Sequence, residues 1–234
     1  MAGRRYPAVE TRPSWVRTNA FWLSGSAALV LAVLVGFVVV LRQQAALLGL
    51  DEEWAEEMLE FRGPVGHAFA LVFDIVGGHL IGSILIPVGG ATALFLFRRR
   101  WAAFYYLLAT AISAGLVQVL KHAFARARPE DMLVTSDFGS FPSGHVANAA
   151  TLAVTVSLIF PYVWVWIAGA AWTILMALSR TYLGAHWMTD TIGGMLIGAG
   201  VALLLWGPFA VRVRAERTKP VPGRPVSSAA DAGR

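Results

Sequence analysis

Residues 21–41 read FWLSGSAALVLAVLVGFVVVL and contain no charged side chain. A helix of about 20 apolar residues is long enough to cross the hydrocarbon core of a bilayer, so this run predicts a membrane-spanning helix. The run is too long for the apolar core of a secretory signal peptide, and no small-residue cleavage site follows it. We therefore expect an uncleaved anchor in an integral membrane protein.

Further apolar runs follow this one along the chain. The candidate spans are residues 20–42, 78–97, 101–123, 144–160, 163–183 and 187–207. The apolar piece 64–77 is too short to cross, and we expect it to pack at the outer interface or to extend the second span. The pattern predicts an all-α, polytopic membrane protein with six transmembrane helices.

The composition agrees with a chain that faces lipid. Hydrophobic residues make up 57% and charged residues 14%, whereas a soluble domain carries about a quarter charged residues. The isoelectric point of about 10.1 does not indicate nucleic-acid binding, because the excess positive charge lies in the two ends that flank apolar runs. The absence of cysteine excludes a disulfide, a thiolate zinc site and a cysteine nucleophile.

Lysine and arginine predict the orientation, because they favour the cytoplasmic side. The basic N-terminus, the loop residues Arg98, Arg99 and Arg100, and the basic C-terminal end belong inside. We expect a multi-pass protein of the cell (inner or plasma) membrane with both termini in the cytoplasm. Residues 1–19 form a cytoplasmic segment, residues 20–210 the six-span domain, and residues 211–234 a basic, disordered cytoplasmic tail. Loops 124–143 and 179–187 then both lie outside.

The loop after the first span is acidic and also belongs outside. Within it, Leu50, Trp54, Met58 and Phe61 recur at helical spacing. This spacing fits a short helix lying on the membrane surface. A solvated acidic loop is the alternative, and the sequence leaves both open.

The first polar cluster is KHAFARARP, residues 121–129. Lys121 and Arg128 are seven positions apart, so on a helix they share a face, and Pro129 would end that helix. Two cations on one face suit a doubly charged phosphate, because arginine grips two oxygens and lysine adds a point charge. A positive cluster that anchors to lipid headgroups is the alternative.

The second cluster is FPSGH, residues 141–145, at the start of the fourth span. Gly144 lets the backbone approach a ligand closely, and a helix N-terminus offers free N–H groups to an anion. Ser143 adds a hydroxyl donor, and His145 can exchange a proton near neutral pH. An N-cap followed by an interfacial histidine is the alternative.

The third cluster is SRTYLGAHWMTD, residues 179–190. His186 and Asp190 are four apart and hence neighbours on a helical face. A carboxylate bonded to one ring nitrogen leaves the other free as a nucleophile, and Arg180 adds a phosphate contact. A purely structural His–Asp pair is the alternative.

Together the clusters resemble the type 2 phosphatidic acid phosphatase (PAP2) family. Its signature, K-x6-R-P, then P-S-G-H, then S-R-x5-H-x3-D, is matched at every fixed position between Lys121 and Asp190. The resemblance implies that His186 attacks phosphorus, that Asp190 orients it, and that His145 protonates the leaving oxygen and then activates water. It also implies that the phosphoryl oxygens are bound by Lys121, Arg128, Arg180, Ser143 and the Gly144 N–H.

The resemblance therefore implies a phosphoric monoester or diphosphate hydrolase that uses neither a metal ion nor a cofactor. We expect it to act on a lipid phosphate in the bilayer, at the outer (periplasmic or extracellular) face. Polyprenyl pyrophosphate is favoured by analogy with carrier recycling in cell-wall synthesis; phosphatidic acid and phosphatidylglycerol phosphate stay open. Phosphotransfer to another acceptor is an alternative for the same site. A lipid transporter or flippase is disfavoured, because no repeated halves are visible. The vanadate-binding haloperoxidases share the constellation but are soluble. The oligomeric state stays open.

Several residues lie near the signature but outside its fixed positions. Arg126 is expected to be a solvated loop residue, with a substrate contact as the alternative. Tyr182 is expected to pack with its hydroxyl at the interface. Asp74 and His79, near the outer end of the second span, are either functional or an interfacial pair.

Overall fold

The computed structural model describes residues 14–41, 49–78 and 80–217. Throughout these ranges the chain forms helices joined by turns and loops, without a strand. The helices are α1 (Ser14–Leu41), α2 (Gly49–Glu60), α3 (Pro64–Gly77), a π-helical turn (Ile81–Leu85) that leads into α4 (Ile86–Leu96), α5 (Arg100–Phe124), α6 (Gly144–Ile159), α7 (Val163–Tyr182) and α8 (Met188–Arg217).

Four of these helices, α1, α5, α7 and α8, are long and apolar enough to cross a bilayer. The stretch from α3 to α4 passes the same test as a pair, with a bend of 43° between its halves. Helix α6 is apolar but has 16 residues, fewer than the roughly 20 that a straight span needs. The chain is thus an all-helical membrane protein with four or five clear spans, and the count of six stays a prediction.

The structure refines three expectations from the sequence. The acidic segment after the first span is a helix, α2, rather than an irregular loop. The apolar piece 64–77 is the helix α3, which starts with Pro64 at a position where its missing N–H costs nothing. Helix α8 continues to Arg217, so residues 211–217 of the predicted tail are helical. Residues 218–234 of that tail lie outside the described residues, and so do residues 1–13 and His79.

The centre of the bundle is the contact between α6 and α8, which pack backbone to backbone. A β-carbon at Gly198 would lie 2.2 Å from the carbonyl oxygen of Ala147, and one at Gly194 would lie 2.6 Å from that of Ser143. Only glycine permits this approach, because real side chains never come so close to backbone. The contact fixes the start of α6 against the start of α8.

An aromatic cluster closes the other end of the bundle. Tyr105 of α5 packs against Trp206 and Phe209 of α8, with ring centroids 5.4 and 5.7 Å apart. The Tyr105 hydroxyl donates to the carbonyl of Ala202 over 2.9 Å, so this buried polar group is satisfied. Glu216 accepts hydrogen bonds from the backbone N–H groups at the start of α5, which satisfies donors that a helix start leaves open.

These contacts bring the three polar clusters to one end of the bundle. The end of α5 carries Lys121, the start of α6 carries His145, and the end of α7 carries Arg180. Because successive helices run in opposite directions, the end of one lies beside the start of the next. His186 and Asp190 lie at the turn into α8, at the same end.

Substituting Gly198 by alanine tests the α6–α8 contact. The added methyl has no room against the Ala147 carbonyl, and overpacking of this kind costs about 1–3 kcal/mol. We expect Gly198→Ala to lower the midpoint of thermal unfolding in detergent by several degrees. Gly89→Ala is the matched control, since a β-carbon there meets nothing within 4 Å. Equal midpoints for the two variants would contradict the packing described here.

Candidate active site

The loop from residue 125 to residue 143 brings the first cluster together. Helix α5 ends at Phe124, where Ala125 adopts a left-handed conformation with φ 45°, and Pro129 plays no part in ending it. Lys121 is therefore on the helix and Arg128 in the loop, and the predicted common helix face is wrong. The two cations still converge, because the loop folds back over the end of α5.

Asp137 lies between these two cations. Its Oδ1 accepts hydrogen bonds from Lys121 Nζ and from Arg128 Nη2, each over 2.8 Å. Both cations also donate to the carbonyl oxygen of Gly139, over 2.9 and 2.8 Å. The Asp137 side chain is 57% exposed, whereas that of Lys121 is buried. An exposed carboxylate thus occupies the anion position that the sequence predicts for phosphate.

Asp137 is held ionised by its neighbours. Partial burial opposes ionisation, but the hydrogen bond from Lys121 and the positive charges of Lys121 and Arg128 outweigh it and lower the pKa of Asp137. Gly139 makes the geometry possible, because its φ of +71° is in the left-handed region. Nothing in the sequence distinguished Asp137 from the other loop acids.

The second cluster contains a buried hydroxyl, that of Ser143, without a hydrogen-bond partner among the described residues. Ser143 stands at the N-cap position of α6 but makes no capping hydrogen bond. Its Oγ is buried and has no hydrogen-bond partner in the described part of the chain. Its backbone N–H donates to the carbonyl of Asp190 over 3.0 Å, which joins the second cluster to the third. Ser143 is therefore the N-cap residue by position, but its hydroxyl does not cap the helix and is available to a ligand.

Gly144 opens α6 beside this hydroxyl. A β-carbon at Gly144 would lie 3.6 Å from Val117, an ordinary contact distance. Packing therefore does not require glycine here. Glycine does leave the first N–H groups of the helix open to an anion.

His145 and Arg180 share one carboxylate, that of Asp74. Arg180 Nη1 forms an ion pair with Asp74 Oδ1. His145 Nε2 lies 3.6 Å from the same oxygen and 3.3 Å from the Asp74 carbonyl oxygen. Arg180 Nε is buried without a partner among the described residues. Asp74 of α3 thus contacts two residues of the signature, whereas His79, the other residue of the expected pair, lies outside the described residues.

His186 lies in the turn before α8 and has two different surroundings. Its Nδ1 is 3.6 Å from Asp190 Oδ2, too long for a hydrogen bond. Its Nε2 is 3.3 Å from Arg128 Nη1. His186 and Asp190 do not share a helical face, because α8 begins at Met188 and His186 precedes it. One ring nitrogen therefore faces a carboxylate and the other faces the cations.

The surroundings of His186 keep its ring neutral. Burial is the main cause, and the charges of Arg180, Arg128 and Lys121 add to it; together they lower the pKa of His186 well below its ordinary value. A neutral imidazole has a free lone pair, which a nucleophile needs.

Arg126 is buried, and the expectation of a solvated loop residue is wrong. Its Nη1 donates to Asp190 Oδ1 over 2.5 Å and its Nη2 to Asp51 Oδ2 over 2.8 Å. Asp51, from the acidic helix α2, is itself buried. Sequence reasoning did not predict this ion pair, since Asp51 and Arg126 are far apart along the chain.

The remaining neighbours lie at the edge of the site. His122, Glu130 and Asp131 are exposed. The Tyr182 hydroxyl accepts from the Gly63 N–H over 2.8 Å and donates to the Gly63 carbonyl over 3.0 Å. Tyr182 therefore anchors the turn between α2 and α3, in agreement with a packing role.

A cavity of about 690 Å³ adjoins these side chains. Lys121, His145, Arg180 and His186 line one end of it. Val88 and Leu107 line the cavity farther along α4 and α5, and both are exposed on the apolar surface of the bundle. The cavity therefore connects the polar end of the site with the lipid-facing surface.

No group of three or more histidine or acidic side chains is placed to hold a metal ion within residues 14–41, 49–78 and 80–217. The positive charge at the site comes instead from side chains, with Lys121, Arg128 and Arg180 all within one cluster. Such a cluster can stabilise a phosphoryl group electrostatically. The expected metal independence stays a prediction.

Neutralising Asp137 tests whether the cations form an anion site. We expect Asp137→Asn to strengthen the binding of inorganic phosphate about fivefold, because phosphate then displaces a neutral amide from Lys121 and Arg128 rather than a carboxylate. The measurement is the dissociation constant of phosphate in detergent. Asp131→Asn is the control, since in the described part of the chain this exposed residue is bonded through its backbone carbonyl, to Arg62. An unchanged constant in Asp137→Asn would show that phosphate binds elsewhere.

The chain is similar in sequence to known proteins over the region that contains the site. The sequence model of the PAP2 superfamily matches residues 102–213. An undecaprenyl-diphosphatase from Sulfolobus acidocaldarius is 34% identical over 131 residues, which cover 52% of this chain and 61% of that protein. Phosphatidylglycerophosphatase B from Bacillus subtilis is 32% identical over 145 residues, which cover 58% of this chain and 70% of that protein.

The fold also has a relative among solved structures. A transmembrane PAP2-type phosphatidylglycerolphosphate phosphatase from Bacillus subtilis superposes with a TM-score of 0.69 and 24% identity. The superposition covers 84% of this chain and 98% of that one. At this identity the likeness shows a shared helical membrane fold.

Proposed function

This chain belongs to the PAP2 superfamily, and from that premise we propose that it is a membrane lipid phosphatase that works through a phosphohistidine at His186. The observation that carries the proposal is the orientation of one ring. His186 Nε2 faces Arg128, and its Nδ1 faces Asp190. This is the arrangement that an in-line nucleophile beside a phosphate site requires.

The first step transfers the phosphoryl group to the protein. The lone pair of His186 Nε2 forms a bond to phosphorus while the bond from phosphorus to the lipid oxygen breaks. The leaving oxygen takes its electron pair and receives a proton from protonated His145. The Asp74 carboxylate lies 3.6 Å from His145 Nε2, on the ring that donates this proton. Asp190 stabilises the positive charge that develops on the His186 ring.

The second step releases phosphate and restores the protein. Neutral His145 accepts a proton from water while the water oxygen forms a bond to phosphorus. The bond from phosphorus to His186 Nε2 breaks, and its electron pair returns to the ring. The products are inorganic phosphate and the lipid alcohol, or a lipid monophosphate when the substrate is a diphosphate.

The other signature residues stabilise the transferred group. Its three outer oxygens carry the negative charge in the transition state, and fixed donors there are worth several kcal/mol. Lys121 and Arg128 supply two charged donors once the phosphate displaces Asp137. The unpartnered Ser143 Oγ and Arg180 Nε, with the N–H of Gly144, supply neutral and charged donors on the α6 and α7 side.

The cavity supports a lipid substrate. Its polar end holds the phosphate, and its apolar walls open towards the surface that faces the bilayer. A substrate with its phosphate at headgroup level and its chain in lipid fits this shape. Polyprenyl pyrophosphate is the favoured substrate, in keeping with the name of the Sulfolobus relative. Phosphatidylglycerol phosphate, which the name of the Bacillus relative indicates, and phosphatidic acid are the other candidates.

The charge distribution supports an outward-facing site in the cell membrane. Arg98, Arg99 and Arg100 lie at the start of α5, and the site lies at its other end. At 1.5 Å per residue, the helix separates them by roughly 35 Å, about the thickness of the bilayer. Since arginine favours the cytoplasmic side, the site faces out and both termini lie inside. With α6 crossing in its shortened form, the chain has six spans.

Phosphate release from purified protein in detergent tests this function. We expect the native chain to release phosphate in EDTA from at least one of polyprenyl pyrophosphate, phosphatidylglycerol phosphate and phosphatidic acid, and the fastest identifies the substrate class. His186→Ala should lower the rate by at least a thousandfold, because it removes the attacking atom. His122→Ala is the control, since this exposed histidine contacts the Gln118 carbonyl and the Phe138 ring and lies outside the fixed positions of the signature.

Other results would change the assignment. Full activity in His186→Ala would remove the phosphohistidine from the mechanism. Loss of activity in EDTA that returns with a divalent cation would contradict the metal-free site. Phosphate that appears on an added lipid or sugar acceptor rather than in solution would make the protein a phosphotransferase.

The pH dependence provides a second test of the nucleophile. Because burial and nearby cations lower the pKa of His186, the ring stays neutral as the pH falls from 7 to 6. The pH profile of kcat/KM reports the groups of the free protein. We expect its acid limb to lie at a pH below about 6.5, the ordinary pKa of histidine. The substrate's own ionisation is titrated separately and divided out. An acid limb at or above 6.5 would mean that the nucleophile is not in the buried environment described here.

A further inference from the structure

A buried network of three charged side chains lies behind the His186–Asp190 pair. Arg126 Nη1 donates to Asp190 Oδ1 over 2.5 Å, and Arg126 Nη2 donates to Asp51 Oδ2 over 2.8 Å. All three side chains are at most 3% exposed. Two of them, Asp51 and Arg126, lie outside every fixed position of the family signature.

Thr189 completes this network. Its backbone N–H donates to Asp51 Oδ1 over 2.9 Å, and its hydroxyl donates to Asp51 Oδ2 over 2.6 Å. The same hydroxyl accepts from Arg126 Nη1 over 2.8 Å. Asp51 therefore binds the residue directly before Asp190 as well as the arginine that binds Asp190.

The network fixes the orientation of the Asp190 carboxylate. Arg126 holds Oδ1, and the backbone N–H of Trp187 holds Oδ2 over 2.9 Å. With both oxygens held, Oδ2 points to His186 Nδ1 at 3.6 Å. A carboxylate held in advance costs less reorganisation when charge develops on the ring.

The network also sets the charge behind His186. With Arg126 alone, the Arg126–Asp190 pair would carry no net charge. Asp51 adds a second negative charge, so the three side chains together carry a single negative charge. That charge opposes the cations on the other side of the ring and favours a positive imidazole.

We propose that Asp51 and Arg126 are positioning residues for catalysis, which act on His186 through Asp190. Asp51 keeps the network negative, and Arg126 fixes the carboxylate that faces the ring. The acidic helix α2 is thereby part of the active site, rather than a surface feature. This inference rests on the proposed phosphohistidine function.

Helix α2 does not depend on Asp51 alone for its place. Arg62, just after α2, donates to the carbonyls of Asp131 over 2.7 Å and Tyr182 over 3.3 Å. Gly63, the residue after Arg62, is hydrogen-bonded through its N–H and its carbonyl to the Tyr182 hydroxyl. Asp51→Asn therefore removes a charge while these anchors remain, and the variant can be purified and compared with the native chain.

Other charged groups also face His186 and are left unchanged by the test. Outside the network they are Lys121 from α5, His145 from α6, Arg180 from α7, and Arg128 and Asp137 from the loop before α6. Their contributions are equal in native and variant proteins. A shift in the pH profile of Asp51→Asn thus reports on the network.

The test compares Asp51→Asn, Arg126→Lys and Thr189→Val in the phosphate-release assay. We expect Asp51→Asn to lower kcat about tenfold while KM stays within about twofold. Its acid limb in kcat/KM should move to lower pH, because the network loses the net negative charge that favours protonation of His186. Arg126→Lys keeps the charge but not the two-sided grip, so kcat should fall several-fold with the acid limb unmoved.

Two controls separate positioning from stability. Thr189→Val removes the hydroxyl that bonds Asp51 and Arg126 but changes no charge. The acid limb of its kcat/KM profile should therefore lie at the same pH as in the native chain. Glu56→Gln removes an exposed charge from the same helix and should leave kcat, KM and the pH profile unchanged. Thermal unfolding in detergent is recorded for every variant, so that a loss of folded protein is distinguished from a loss of rate.

The outcomes are decisive in both directions. The inference is overturned if the native chain is active while folded Asp51→Asn keeps its kcat and its acid limb, or if Thr189→Val reproduces both changes. If Asp51→Asn fails to fold, Arg126→Lys decides, and native kcat in that variant refutes the positioning role. A native chain that releases phosphate from none of the lipids would instead overturn the proposed function, and the inference with it.

Discussion

Burying positive charge at one end of an apolar helix bundle requires a carboxylate in contact with every cation, and the site is built around that requirement. An unpaired charge in such surroundings costs several kcal/mol. Arg180 is paired with Asp74, and Lys121 and Arg128 share Asp137. Each carboxylate comes from a different stretch of the chain, so the cations hold together segments that are far apart in sequence.

The counter-charges differ in how firmly they are held. Asp137 is in a loop and more than half exposed, and its partners are the cations that the family signature provides for phosphate. Asp51 and Asp190 are fully buried and hydrogen-bonded on both sides of Arg126. In the proposed mechanism the first carboxylate leaves when a phosphate arrives, whereas the other two stay. The same electrostatic rule would thus give an exchangeable anion position on one side of the histidine and a fixed pair of carboxylates on the other.

The close packing of α6 and α8 gives these charges a rigid support. Glycines at 194 and 198 let the two backbones touch, and the Ser143 N–H bonds to the Asp190 carbonyl. The hydroxyl of the second cluster and the carboxylate of the third are therefore set by one backbone contact. Sites on packed helices hold their geometry better than sites on loops, which suits a reaction that depends on charge placement.

Local sequence was enough to predict most of the helices and to single out the candidate site residues. Apolar runs of span length end within a few residues of the helix ends for α5, α7 and the start of α8, because lipid exposure demands continuous apolar sequence. The motif spacing singled out His145, His186 and the cations, since those residue types are costly in a membrane unless they have a function. Tertiary structure alone decided how they are paired. The partnerships of Asp51 with Arg126, Asp74 with Arg180 and Asp137 with Lys121 join distant segments, and a buried ion pair depends on distance in space, which spacing along the chain does not encode.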